Sequence, residues 1–366
     1  MEPNELPHLP LFAPFKLGAI ELANRFVMAP LTRNRAGAGR TPTELTVEYY
    51  RQRASAGLII TEASQISPMG QGYLDTPGIY SPEQIAGWKR VSDAVHAEGG
   101  RIFIQLWHVG RISHSSLLPN GAAPVAPSAL AAKSKTFTTE GFLDVSTPRA
   151  MSLEDIEATV ADYAQAARNA IAAGFDGVEV HAANGYLIDQ FLRKSSNRRE
   201  DAYGGSIENR TRFLAEVMDA VVAAIGAERV GVRFSPVSPF NDVSDPQPQA
   251  LFERAIERIG AHALAYVHVI EGATGGDREI DPRFDFAALR AKFKGPWMVN
   301  NGYDLALADA RLASGAADLF CFGRPFISNP DLVRRLREGR ELNALDGATL
   351  YGGGAQGYTD YPFLPD

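Results

Sequence analysis

Short apolar runs alternate with capped helical segments eight times along this chain, and that alternation constrains the fold more than any other feature. Strands are predicted over Arg25–Pro30, Gly57–Ala63, Arg101–Trp107, Asp176–His181, Arg229–Ser235, Ala265–Ile270, Pro296–Asn300 and Ala317–Gly323. Three of the helices that follow begin with a cap signature: Thr41-Pro42-Thr43-Glu44, Ser81-Pro82-Glu83-Gln84 and Ser152-Leu153-Glu154-Asp155. In each, a hydroxyl and an acidic or amide side chain three residues on can satisfy the first free N–H groups. These helices run to about Ala56, Glu98 and Ala173; further helices are expected over 207–225, 248–262, 284–293 and 303–313, and Asn329-Pro330 caps a last one to about Arg337. Strand and helix in strict alternation, eight times over, predict an α/β fold: a closed parallel (β/α)8 TIM barrel of about 250 residues. An open doubly wound sheet is disfavoured, because no Gly-x-Gly-x-x-Gly follows the first strand.

The rest of the 366 residues falls into ends and insertions. Residues 11–25 read as an N-terminal hairpin turning near Gly18. The largest insertion, 108–150 after the third strand, is rich in Pro, Ser and Ala and is expected to form a lid or pocket wall. No domain boundary, repeat or low-complexity tract appears, so 1–366 reads as one domain. A formal charge of −7 with no dense basic run argues against nucleic acid as a partner. The single cysteine, Cys321, excludes an internal disulfide, a cysteine-rich zinc site and a four-cysteine cluster, and no metal is expected. Met1–Pro7 is acidic and proline-broken, unlike a signal peptide. No apolar run nears the ~18 residues of a membrane span. These features predict a soluble cytoplasmic protein, a monomer or small homo-oligomer.

Catalytic groups of such barrels come from the C-terminal ends of the strands. The fourth strand is the most telling. Side chains alternate along a strand, so Val178 and Val180 face one way while Glu179 and His181 face the other. Asn184 and Tyr186 follow His181 within a few residues. Three polar groups in so short a stretch need a shared reason. Elsewhere the alternation turns Gln105 and Trp107 inward from the third strand and Arg233 from the fifth. A buried arginine is costly without an acceptor. The seventh strand ends Asn300-Asn301-Gly302 and the eighth Gly323-Arg324, where barrels commonly bind phosphate. With Thr32 at the first strand end, the set suits a flat heterocycle carrying a phosphate, as in a flavin.

These residues lie in segments that resemble the Old Yellow Enzyme family of FMN-dependent ene-reductases, in particular the bacterial branch with the N-ethylmaleimide, nitrate-ester and morphinone reductases. The matching segments are Met28–Arg33, Tyr49–Gly57, Gln105–His108, His181–Leu192, Tyr203–Arg210, Phe322–Phe326 and Gly357–Pro362. The resemblance implies non-covalent FMN held by Ala29, Pro30, Leu31, Thr32, Ala63, Gln105, Arg233, Asn301, Gly302, Gly323 and Arg324. It implies NADPH or NADH as reductant and small electrophilic alkenes as acceptors. His181 and Asn184 would grip the acceptor's oxygen and Tyr186 would donate a proton, with Tyr73, Trp107, Phe240 and Tyr351 lining the substrate pocket. The family carries His or Asn at the second gripping position; here it is Asn184. Nitrate-ester or nitroaromatic reduction as the main activity is an alternative, and a non-catalytic flavin-binding barrel is another. A flavin-free aldolase-type barrel would want a strand-end lysine, and none of the eight strand ends has one. Glu179 shares the face of His181 without an assigned role.

Overall fold

Eight runs rich in Val, Ile, Leu and Phe form one parallel sheet that closes on itself. The structure is a computed structural model and describes residues 9–365; the expectation for Met1–Pro7 falls outside the described residues. The barrel strands are β1 (Phe26–Met28), β2 (Leu58–Ile60), β3 (Ile102–Trp107), β4 (Gly177–His181), β5 (Val230–Phe234), β6 (Tyr266–Ile270), β7 (Trp297–Asn300) and β8 (Leu319–Phe322). Each pairs with the next, β8 returns to β1, and β3 pairs with β4 to complete the ring. The helices α1 (Glu44–Arg51), α2 (Pro82–Ala97), α3 (Leu153–Ala172), α4 (Arg212–Ile225), α5 (Pro248–Ile259), α6 (Phe286–Ala291), α7 (Leu305–Ala313) and α8 (Leu332–Glu338) intervene in order. This is the (β/α)8 barrel that the alternation predicts.

The strand period sorts the core into two shells. Ile102, Ile104, Leu106, Val178, Val180, Val230 and Val232 pack outward against the helices. Val27, Leu58, Phe103, Tyr266, Met298 and Leu319 fill the barrel's interior, joined by Cys321. The expected hairpin, Phe15–Leu17 with Ile20–Leu22, closes the barrel floor by burying Leu17 and Leu22 in that interior shell. Its turn requires Gly18: φ is +52°, and a Cβ there would lie 2.1 Å from the Glu228 carbonyl oxygen.

The Ser81 and Ser152 capping boxes form as expected. At α1 the cap is Thr43, not Thr41, because Thr46 returns the bond that Thr43 accepts; Thr41 instead bridges Gly37. The helix expected over 207–225 breaks at Thr211 into Ile207–Arg210 and α4. Asn329 does not cap α8. Its side chain ties Asn343 N and Pro325 O, and Asp331 takes the N-cap position. Two short helices, Leu187–Leu192 and Arg324–Ser328, are additions to the predicted set. The 108–150 insertion carries its own hairpin, Lys135–Thr138 with Gly141–Asp144, beside the barrel mouth. Among the described residues, no helix is long and apolar enough to cross a membrane.

The C-terminal segment straps across the barrel. Arg33 donates to Leu350 O at 2.9 Å and Gly357 O at 2.8 Å, and Arg35 to Gly354 O at 3.1 Å. Tyr358 is fully buried and stacks on Tyr49 at 4.1 Å. Replacing Tyr358 by Ala is expected to lower stability by roughly 3 kcal/mol and to speed limited proteolysis after residue 343. Denaturant unfolding and a protease time course check this; wild-type values in both would contradict the strap.

Candidate active site

The C-terminal ends of the strands surround a cavity of about 720 Å³, within the 300–1,000 Å³ usual for small-molecule sites. It brings together Pro30, Leu31, Thr32, Ala63, Gln105, Arg233 and Arg324, seven of the residues expected to hold a cofactor. His181, Asn184, Tyr186, Tyr73, Trp107, Phe240 and Tyr351 share the same wall. Ala29, Asn301, Gly302 and Gly323 are not on it. Gly323 lies just behind, where a Cβ would touch Leu31 at 3.4 Å. The Asn301 amide is occupied elsewhere, donating to Glu271 O and Ala273 O at 2.7 and 3.0 Å. Its side chain therefore shapes the loop after β6 and does not face the cavity. Among the described residues, no group of three or more His, Cys, Asp or Glu could hold a metal ion.

The loop after β4 owes its shape to two successive left-handed residues, Asn184 (φ +59°) and Gly185 (φ +69°). Asparagine tolerates this conformation and glycine is at ease in it. A Cβ at 185 would lie 2.6 Å from Phe240 O. The reversal starts the Leu187–Leu192 helix with Tyr186 at its N-cap. Asp189 accepts from Gly185 N at 2.9 Å and pairs with buried Arg193 at 2.7 Å. Arg193 in turn donates to Ser235 O at 2.6 Å and Pro236 O at 2.9 Å, which ties the loops after β4 and β5 together.

Local hydrogen bonds decide which atoms face the cavity. His181 Nδ1 accepts from Ala183 N at 3.3 Å. In a neutral imidazole the proton then resides on Nε2, which is left as a donor. Burial, followed by the charge of Arg233 and by His268, holds the His181 pKa well below its ordinary value, so the ring is neutral. The Asn184 carbonyl oxygen Oδ1 accepts from Thr274 Oγ1 at 2.7 Å, which leaves its NH₂ as the free end. Two donors with fixed orientation therefore line one cavity. Tyr186 packs edge-on against both His181 and Trp107, with ring centroids 5.1 and 5.0 Å apart. Its hydroxyl meets that of Tyr73 at 3.1 Å. Burial, then the Tyr73 hydroxyl, raise the Tyr186 pKa well above that of a free phenol.

Arg233 is 6% exposed and donates through Nη2 to Asn300 at 2.9 Å, yet its buried Nε has no partner. Such an orphaned donor calls for an acceptor in the cavity. Arg324, also on the wall, has no ion pair or hydrogen bond among the described residues. A cavity this size, with an unmet donor over its floor and a free cation at the β8 end, fits FMN. Thr274, Ser235 and Asn241 complete the site without having been anticipated: Ser235 accepts from Asn184 N at 2.7 Å and Asn241 donates to Asn184 O at 2.9 Å. These pairs join separate loops, and a single sequence carries no signal for them. The insertion does wall the pocket, through Ser134, Lys135, Phe137 and Phe142.

Residues 10–343 match the NADH:flavin oxidoreductase / NADH oxidase family. Over 364 residues the chain is 44% identical to 12-oxophytodienoate reductase 1 of Oryza sativa subsp. japonica, covering 98% of this chain and 94% of the rice protein. It is 46% identical, across 97% of each chain, to a probable flavin mononucleotide-dependent alkene reductase of Leishmania infantum. The solved structure of morphinone reductase in complex with tetrahydroNAD superposes with a TM-score of 0.92 at 49% identity, covering 97% of this chain and 98% of that one.

The two pKa shifts have a testable consequence. A raised phenol pKa keeps Tyr186 protonated to higher pH, and a lowered imidazole pKa keeps His181 neutral to lower pH. Neither group should titrate between about pH 6.5 and 9, and the rate of acceptor reduction should be flat there. A limb inside that window that disappears in Tyr186→Phe would contradict the assignment.

Proposed function

This chain belongs to the NADH:flavin oxidoreductase / NADH oxidase family, and we propose that it reduces the C=C bond of α,β-unsaturated carbonyl or nitro compounds at the expense of NADPH or NADH. The observation that carries this reading is the pair of fixed donors, His181 Nε2–H and the Asn184 amide, beside a protonated Tyr186 in one cavity. The names of the rice and Leishmania relatives support it. So does the complex of morphinone reductase with tetrahydroNAD, a nicotinamide analogue.

FMN, when bound, would supply the hydride chemistry that links oxidation of the nicotinamide to reduction of the acceptor's C=C bond. Pro30–Thr32, Ala63 and Gln105 would hold the ring, Arg233 its electron-rich edge and Arg324 the phosphate, with backbone at Ala29, Asn301, Gly302 and Gly323 behind them. His181 and Asn184 hold the acceptor's oxygen and stabilise the charge that develops on it, an effect often worth about 3 kcal/mol per donor. Their orientation is set in advance by Ala183 and Thr274, so neither donor has to turn as charge develops. Tyr186 gives its proton to the α-carbon, and Tyr73, in hydrogen-bond contact, is placed to resupply it. Trp107 and Tyr73 stack with rings 9° from parallel and form an apolar wall. Phe240 and Tyr351, both exposed, line the mouth through which nicotinamide and acceptor would enter in turn. On this reading the whole chain is one FMN-binding unit.

The purified protein should be yellow, lose its visible absorbance on adding NADPH or NADH, and regain it with cyclohexenone. A colourless protein that takes up no FMN would overturn the reading. Tyr186→Phe should slow reoxidation by the enone roughly 10²–10⁴-fold while leaving reduction by the nicotinamide near wild type. Equal loss in both half-reactions would mean that Tyr186 acts in some other way.

A further inference from the structure

Glu179 is a fully buried charged group on β4 that the proposed reaction does not use. It lies across from Gln105 on β3 and Gly231 on β5, one inward position below His181. Its carboxylate accepts from Gln105 Nε2 at 2.7 Å and His268 Nδ1 at 2.8 Å. Resting on the FMN reading above, we propose that Glu179 is a positioning residue for that site: it fixes the orientation of the Gln105 amide and offsets part of the Arg233 charge, and so sets the reduction potential of bound FMN.

The first half follows from donor and acceptor chemistry. An ionised carboxylate only accepts hydrogen bonds, so Gln105 must turn Nε2 toward it. Gln105 also borders the cavity, and its carbonyl oxygen is the end that Glu179 leaves free. The cavity therefore meets an acceptor suited to a ring N–H. A neutral partner in place of Glu179 would allow either end of the amide to face the ring.

The second half follows from charge. Burial disfavours the Glu179 anion, but the hydrogen bonds from His268 and Gln105 and the charge of Arg233 outweigh that penalty and keep its pKa below the usual value. Burial, aided by Arg233, keeps His268 neutral against the pull of Glu179. The negative charge of Glu179 thus stands against Arg233. Among the described residues Arg233 forms no ion pair, and its Nη2 bonds to the neutral Asn300 amide. A ring that gains negative charge on reduction is favoured by Arg233 and opposed by Glu179. If Glu179 merely filled the barrel, an isosteric amide would alter stability but not the potential.

The test is spectroelectrochemical titration of the FMN holoenzyme, together with FMN affinity, for wild type, Glu179→Gln and Glu179→Asp. Glu179→Gln should shift the oxidised–reduced equilibrium toward the reduced form about tenfold, which is about 30 mV for a two-electron couple. It should also weaken FMN binding about tenfold. Glu179→Asp keeps the charge while withdrawing the carboxylate, so its potential should stay nearer wild type although its affinity falls. A folded Glu179→Gln holoenzyme with wild-type potential and affinity overturns the proposal, as do equal potential shifts in the two variants. Failure of both variants to fold around FMN would assign Glu179 to folding alone and also overturn it. A wild-type protein that takes up no FMN would instead sink the functional reading itself.

Discussion

The polar chemistry at the barrel mouth depends on the register of a few neighbouring strands. His181 on β4 lies opposite Arg233 on β5, Arg233 lies opposite His268 on β6, and Glu179 lies opposite Gln105 on β3. Side chains alternate with a period of two, so a slip of one residue would exchange these groups for Val180 and Val232 and turn the charges into the helical layer. The two hydrophobic shells guard against that slip. Val178, Val180, Val230 and Val232 pack outside the barrel, against the helices, and a slip would turn them into the polar layer of Gln105, Glu179, Arg233 and His268. The register that buries the valines is the one that gathers the site.

Within that frame, orientation is fixed by neighbours that do no chemistry. The Ala183 amide selects the His181 tautomer, Thr274 selects the face of Asn184, and Glu179 selects the face of Gln105. Donors that are already turned stabilise developing charge without reorganising. The loops carrying them are held in place by arginines that bond to backbone carbonyls: Arg193 joins the loops after β4 and β5, and Arg33 and Arg35 hold the C-terminal strap that brings Tyr351 to the cavity. These arginines are buried or nearly so, and a buried guanidinium demands acceptors. Their cost is met largely by main-chain oxygens, with Asp189 added at Arg193, and loop shape is the result.

Much of this was legible in the sequence, for reasons that lie within single elements. The barrel showed as β-branched runs separated by cap signatures such as Ser81 with Gln84 and Ser152 with Asp155. The inward positions of Gln105, His181 and Arg233 followed from strand alternation alone. What escaped was either featureless or non-local. The Leu187–Leu192 helix is buried at all six positions, so it shows no amphipathic period. Thr43 and Thr41 both look like caps until Thr46 chooses between them. Thr274 reaches Asn184 across ninety residues, and Glu179 finds His268 across eighty-nine. The Asn301 side chain serves the loop after β6, because three backbone carbonyls converge on its amide, and it is the backbone there that is left for a cofactor.

The central claim is that one cavity holds the flavin on its floor and the acceptor's oxygen between His181 and Asn184. A crystal structure of the FMN-loaded protein with a bound enone or phenol tests it most directly. The phosphate should lie against Arg324, the ring over Gln105 and Arg233, and the ligand oxygen within hydrogen-bond distance of both His181 Nε2 and the Asn184 amide. A ligand oxygen that contacts neither, or FMN bound away from this cavity, would contradict it.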